Sequence, residues 1–391
     1  MNKHILCVYA TRQIDSNLFM SSTIFHGLQL CGYKVDMLFA GYRDVCKVFS
    51  DRYAKYFDKV SYFVLSESRL KRLCNKSEKT KLIYSYIIHF IKDWLFLPKS
   101  IRKVKLSLDS DYDVILSFIP PAISGYWSQF IRKKNHLNSV PLIQFWTDPL
   151  SLGRCNDFSS IPKHRFIHKI VERQLLSYSD KSVFCYPLLC EMEQKLHPKF
   201  SNKMTWSDVG YTEHLFATRN SSTNISGRVK IGLFGNYQSK VRNIFPLLDA
   251  ISKIPEVLFI IRGDSDIHID GSLFSNLDII EGRRPVSEIE QLEAECNILI
   301  CLGGKSGITH PAGKVFYYAN YPKPIVYIGD GVHNEYFKNY LSGFNRYIIC
   351  DNNTDSIIDG IHQAITSLPS FVLELDKRLE PSEIARKIVS L

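Results

Sequence analysis

The stretch that decides the fold is "HPAGKVFYYANYPKPIVYI", His310 to Ile328. It reads as a loop, a short helix over 312–319, and a buried strand starting near Pro324. The strand assignment rests on an unbroken run of apolar, β-branched and aromatic residues bounded by proline and glycine. Helix N-termini carry partial positive charge, so a cation there is mildly unfavourable. Lys314 sits one turn in, behind Pro311 and with His310 just ahead. An anion at that turn would account for all three.

Working outward, the same loop–helix–strand grammar recurs. On either side of this stretch lie the strand-like runs "VKIGLFG", "EVLFIIRG", "LDIIEG", "NILICLGG", "PIVYIG" and "RYIIC", with helices over 243–253, 287–295 and 312–319. Nearer the N-terminus, "HILCVYA", "YKVDMLFAG", "KVSYFVL", "YDVILSFI", "VPLIQFW" and "KSVFCYP" form a second series. Its first helix spans 17–31 and stops at Gly32. Strands alternating with helices imply parallel sheets covered on both faces. A chain of 391 residues is too long for one ordinary core. The reading is therefore α/β, with two doubly wound Rossmann-like domains in tandem. Residues 1–217 form the first, and the polar, aperiodic stretch 218–228 is the linker. Residues 229–370 form the second, and 371–391 end in a helix expected to bridge back to the first domain.

Composition is that of a globular protein, 45% hydrophobic and 23% charged. Ten cysteines are scattered singly, without metal-like spacing, which suggests buried thiols in a reducing cytosol. The N-terminus looks like a first strand rather than a signal peptide. No run of about 18 apolar residues is present to span a bilayer. Net charge is +10, and residues 66–105 hold eleven Lys/Arg against three Asp/Glu, an excess of eight. Within that segment Ile83, Ile87, Phe90, Ile91, Trp94 and Leu95 fall at helical spacing between basic flanks. A basic amphipathic helix with a tryptophan suits an anionic membrane surface. A core-packed helix with charged flanks is the plainer alternative. Nucleic acid is disfavoured because no reading motif accompanies the charge.

Ligands of such sheets bind beyond the carboxyl ends of the strands, which selects the loops to inspect. In "GLFGNYQSKVRN" Gly235 permits close backbone approach, Asn236 lies beside it, and Lys240 and Arg242 are phosphate candidates. In "LGGKSGITHPAGK" glycines follow a strand and precede a helix, an anion-binding junction. "GGKS" is not a P-loop, since the required glycine is replaced by Leu299. The acidic pair in "IIRGDSD", Asp264 and Asp266, could hold a divalent metal, but so short a pattern is weak and no metal is expected. Arg262 on the same strand end is a further substrate-contact candidate. In "QFWTDPLSLG" Asp148 follows a strand of the first domain and could orient or deprotonate an acceptor hydroxyl. It could equally be a turn-forming residue before Pro149. His164 and His168 share a helix face but lack a third metal ligand.

Together these segments resemble a GT-B glycosyltransferase, most closely the large retaining family four. The opening strand–helix–strand, "IVERQLLSYSDKSVFCYP", "GLFGNYQSKVRNIFPLLDAI" and "HPAGKVFYYANYPKPIVYIG" occur in that family's order. The resemblance implies two Rossmann-like domains facing a cleft. It implies a nucleotide-diphosphate sugar donor held by Arg242 and Lys314, and no cofactor or metal. Arg283 and Val286 would lie near the base; Ser306, Gly307, Thr309 and His310 would face the sugar or phosphate. The family's two glutamates would fall at Thr309 and Tyr317, and neither is acidic here. Tyr317 thus stands where the ribose contact is expected. The acceptor class implied is a lipid-linked saccharide in surface polysaccharide, O-antigen or lipopolysaccharide assembly, on the cytoplasmic face of the cell membrane. The missing glutamates motivate a second reading, a non-catalytic GT-B module that recruits partners at a membrane. A Rossmann oxidoreductase is a weaker third, because neither candidate loop carries GxGxxG.

Overall fold

The computed structural model describes residues 3–12, 16–65, 101, 111–152, 162–211, 227–239, 241–282, 284–305 and 312–390. The apolar runs become parallel strands in two separate sheets. The first contains β1 (His4–Ala10), β2 (Lys34–Gly41), β3 (Lys59–Val64), β4 (Val114–Ile119), β5 (Leu142–Trp146), β6 (Lys181–Phe184) and β7 (Met204–Trp206). Their order is β3-β2-β1-β4-β5-β6-β7. β1 is buried along its whole length, with Cys7 opposite Met37 on one side and Leu116 on the other. Such a strand needs cover on both faces, which helices supply. They are α1 (Ser16–Leu30), α2 (Arg43–Tyr53), α3 (Ala122–Lys134), α4 (Pro162–Tyr178) and α5 (Pro187–Leu196). The strand "MTW" of β7 is an addition to the sequence reading, since three residues are too few to register as an apolar run.

The second sheet holds β8 (Lys230–Phe234), β9 (Leu258–Gly263), β10 (Leu277–Glu281), β11 (Ile298–Leu302), β12 (Ile325–Gly329) and β13 (Ile348–Asp351), in the order β10-β9-β8-β11-β12-β13. Around it lie α6 (Phe245–Lys253), α7 (Val286–Glu295), α8 (Lys314–Tyr317), α9 (Asn334–Ser342) and α10 (Thr354–Ser367), and α11 (Pro381–Val389) follows near the end of the chain. Inward residues of β8, β9, β11 and β12 pack on α6 and α10 through Ile231, Phe259, Ile300, Val326, Leu247 and Ile361. α8 is shorter than the expected 312–319. It is a single four-residue turn, flanked by Gly313 and closed at Tyr318.

Two compact units result: Met1–Gly210 with Pro381–Leu391, and Tyr211–Glu380. In the first, α11 lies against α1 so tightly that a methyl on Gly27 would sit 2.0 Å from the Pro381 carbonyl oxygen. Lys3 Nζ donates to the Val389 carbonyl (2.7 Å) and Lys181 Nζ to the Ile388 carbonyl (3.2 Å). Both cations cap a helix C-terminus, where the dipole favours them. The eight described cysteines are free thiols, and none of the described helices is long and apolar enough to cross a membrane. The basic segment 66–105, apart from Ile101, and the linker 218–228, apart from Gly227 and Arg228, lie outside the described residues.

Candidate functional site

In the second unit the strand order reverses between β8 and β11, which marks the crevice where doubly wound sheets bind ligands. β8 ends at Gly235, whose φ of +124° suits glycine. Space there is tight: a methyl on Gly263, at the end of β9, would lie 1.8 Å from the Gly235 carbonyl oxygen. The following loop is pinned from both sides. Asp266 accepts the Ser239 backbone N–H (2.6 Å) and hydroxyl (2.7 Å), while Lys305 donates its ammonium to the Ser239 carbonyl (2.7 Å). Arg242 crosses the reversal itself. Its Nε donates to the Leu302 carbonyl at the end of β11 (2.9 Å), and Nη1 donates to the Asn236 carbonyl.

Lys314 reaches the same edge, with its Cε 3.8 Å from where a Cβ on Gly235 would stand. Its ammonium donates to the Glu293 carboxylate and to the Tyr318 hydroxyl (3.0 Å). It also lies over the rings of Phe234 (5.8 Å), Tyr317 (5.4 Å) and Tyr318 (5.0 Å). The anion that accounts for Lys314 inside the protein is therefore Glu293, a fully buried side chain of α7. Burial, and then Glu293, push the Tyr318 phenol well above its ordinary range. Lys314 is the first residue of a one-turn helix, so no macrodipole argument applies to it.

The remaining sequence candidates separate. Tyr317 is half-buried with its hydroxyl toward Glu290 (3.4 Å), and Val286 opens α7. Arg262 is buried and committed to Asp278, with Nη2 2.7 Å from its carboxylate and Nη1 on two backbone carbonyls. It ties β9 to β10. The acid pair after β9 is also put to structural use, since Asp266 shapes the Gly235–Arg242 loop and the Asp264 carbonyl accepts the Tyr237 N–H. Lys240, Arg283, Ser306, Gly307, Thr309 and His310 lie outside the described residues.

In the first unit the order reverses between β1 and β4. Asp148 follows β5, next to β4, and is buried. Ahead of it, Thr147 donates its backbone N–H to the Ile119 carbonyl (2.8 Å) and its hydroxyl to the Asn17 side chain (3.1 Å). Behind it, Glu172 of α4 accepts the N–H groups of Leu150 (2.5 Å) and Ser151 (2.7 Å) on one oxygen. Its other oxygen accepts the Ser151 hydroxyl and faces His197 Nε2 at 3.2 Å. Glu193 lies 3.8 Å from the same nitrogen, and among the described residues no donor bonds either of its carboxylate oxygens. Burial, reinforced by Glu172, pushes its carboxyl well above the usual range. Among the described residues, Glu172, Glu193 and His197 are the one group with ligand atoms close enough together to hold a metal, all within 4.8 Å. His168 sits on α4 outside that group.

Sequence reasoning missed Glu172, Glu193, His197 and Glu293. Each reads as an ordinary helix-surface residue, and only burial singles it out.

No protein-family model matches the sequence, and no curated protein matches it. Solved structures do match the fold. A glycosyltransferase from Rickettsia africae aligns over 100% of this chain and 94% of its own, at 14% identity and a TM-score of 0.51. A UDP-N-acetylglucosamine 2-epimerase aligns over 100% and 95%, at 11% identity and 0.50. The chain is a two-domain, Rossmann-like α/β protein of the GT-B fold.

Proposed function

We propose that this chain is a glycosyltransferase. It moves a sugar from a nucleotide-diphosphate donor to a lipid-linked saccharide in surface polysaccharide assembly. The observation that carries the reading is the meeting of Arg242 and Lys314 with Gly235 at the β8–β11 reversal. An ammonium has three N–H donors. Glu293 and Tyr318 take two of those of Lys314, and the third is available to a phosphate oxygen. Arg242, Lys314 and the glycine-lined strand ends would stabilise the charge that develops on a leaving diphosphate. Asp148 would orient or deprotonate the attacking hydroxyl. The lipid-linked acceptor and the anionic membrane surface rest on the basic, tryptophan-containing segment 66–105.

A second reading has its own support. The epimerase shares the fold, and an epimerase would act on the donor without any acceptor. A thermal-shift screen with UDP-, GDP-, CMP- and dTDP-sugars, and NAD as control, tests donor binding. The expected result is a shift with one sugar nucleotide that is lost in Arg242→Ala while the variant stays folded. No shift with any of them, or a shift undiminished in Arg242→Ala, contradicts the site. Conversion of UDP-N-acetylglucosamine to its 2-epimer would select the second reading.

A further inference from the structure

We propose that Glu172 is a positioning residue. Its buried carboxylate, hydrogen-bonded also by His197, sets the conformation of the turn that presents Asp148. The inference rests on the reading of Asp148 as the group that handles the acceptor hydroxyl.

A fully buried carboxylate on the middle of α4 is costly unless its lone pairs are filled. Here four donors meet it. Two are the consecutive N–H groups of Leu150 and Ser151, both on Oε1. Two more, the Ser151 hydroxyl and the His197 ring, are on Oε2. A carboxylate only accepts, so His197 Nε2 carries the hydrogen in this pair. Two successive amides on one oxygen fix the orientation of the two peptide planes that follow Pro149. On the other side of Asp148, Thr147 is fixed to Ile119 and Asn17. Asp148 is thus clamped between two anchored peptides.

His197 ends α5, so the clamp ties α4, α5 and the turn after β5 into one unit. Glu193 lies on the far side of His197, and among the described residues its carboxyl has no hydrogen-bond partner; burial, reinforced by Glu172, raises its affinity for a proton. Ligand-bearing geometry alone would also suit a metal. The filled lone pairs of Glu172 favour the clamp, because both oxygens already serve the Asp148 turn.

The test compares Glu172→Leu, Glu172→Gln and Asp148→Asn in the full chain. Turnover is read as release of nucleoside diphosphate from UDP-, GDP- and dTDP-glucose with water as acceptor, per folded molecule. Misplacing a reacting group by about 1 Å costs on the order of 100-fold. Glu172→Leu is expected to lower kcat by about that factor, with donor KM within about twofold of wild type. Glu172→Gln keeps an acceptor for both amides and is expected to recover kcat to within about tenfold. Amide exchange at Leu150 and Ser151 is expected to quicken in Glu172→Leu and less so in Glu172→Gln. A purely structural role would lower Tm and leave kcat per folded molecule unchanged. If Glu172→Leu does not fold, Glu172→Ala, which also removes the acceptor, takes its place. Wild-type kcat and wild-type exchange in the folded variant that lacks the acceptor, with Asp148→Asn inactive, overturn the proposal and spare the reading beneath it. Wild-type kcat in Asp148→Asn removes that reading and the proposal together.

Discussion

Lys314 shows how one buried carboxylate tunes a site. Glu293 places a negative charge directly against the ammonium that is to meet a diphosphate. Two unit charges 4 Å apart interact by about 4 kcal/mol at an effective dielectric near 20, so removing one matters even after partial screening. Glu293→Gln is expected to tighten binding of a nucleoside diphosphate by about 3- to 30-fold, measured by calorimetric titration. Weaker binding would mean that Glu293 serves to aim Lys314 rather than to offset its charge. Glu193 gives a second test at this scale. Its carboxyl has a raised proton affinity in the folded state, so its stabilising contribution is present below the unfolded value near 4.3. That contribution is lost as pH rises through the folded value. Glu193→Gln, which holds the neutral shape at every pH, should raise Tm at pH 8 and change it little at pH 4. An equal change at both would show that Glu193 is not carrying a strained charge.

Elements in the second unit are tied by cations at helix ends. Lys323 donates its buried ammonium to the carbonyls of Glu293 (2.8 Å), Ala294 (2.8 Å) and Cys296, closing the C-terminus of α7. Burial pulls its pKa down to about 8. Lys323→Met leaves three carbonyls without that donor and should destabilise by about 2–4 kcal/mol in urea unfolding. Because α7 carries Glu293, the same change should disturb Lys314. Gly263→Ala pushes a methyl into the Gly235 carbonyl and should cost about 1–3 kcal/mol, with loss of donor binding if the loop shifts. Strands were legible because both faces are buried: "HILCVYA" and "PIVYI" have no polar interruption to hide them. Helix lengths were less so. The run 312–319 has helical composition, yet its tyrosines reach α7, Tyr317 toward Glu290 and Tyr318 to Glu293, and only one regular turn forms. Glu172 and Glu293 were illegible, because "IVERQLL" and "VSEIEQLEAE" carry their glutamates where a solvent face would also put them. Arg262 is the converse case. A cation at a strand end looks like a ligand contact until Asp278 is seen beside it.

The two units hold sheets with the same central strand order, and the first also contains a helix from near the end of the chain. α11 buries Ile384, Ala385, Ile388 and Val389 within the first unit. Burying side chains of this kind is worth roughly 1.5–3 kcal/mol each for the larger ones. Ending the chain at Glu380 should therefore lower the stability of the first unit by several kcal/mol. Hydrogen exchange would show faster exchange in β1 to β7, with β8 to β13 unchanged. Equal loss of protection in both sheets would contradict the assignment of α11 to one unit. Fold class was readable from the alternation of runs alone. The chemistry was readable only as loops, since topology names the strand ends that matter but not which cation is held by a neighbour.

The β8–β11 edge is the proposed diphosphate site. The measurement that tests it most directly is a calorimetric titration of UDP, GDP and dTDP into wild type, Arg242→Ala and Lys314→Met. The prediction is that wild type binds one of the three and that each variant, still folded, binds it at least about tenfold more weakly. Unchanged affinity in both variants would place the diphosphate elsewhere and contradict the account.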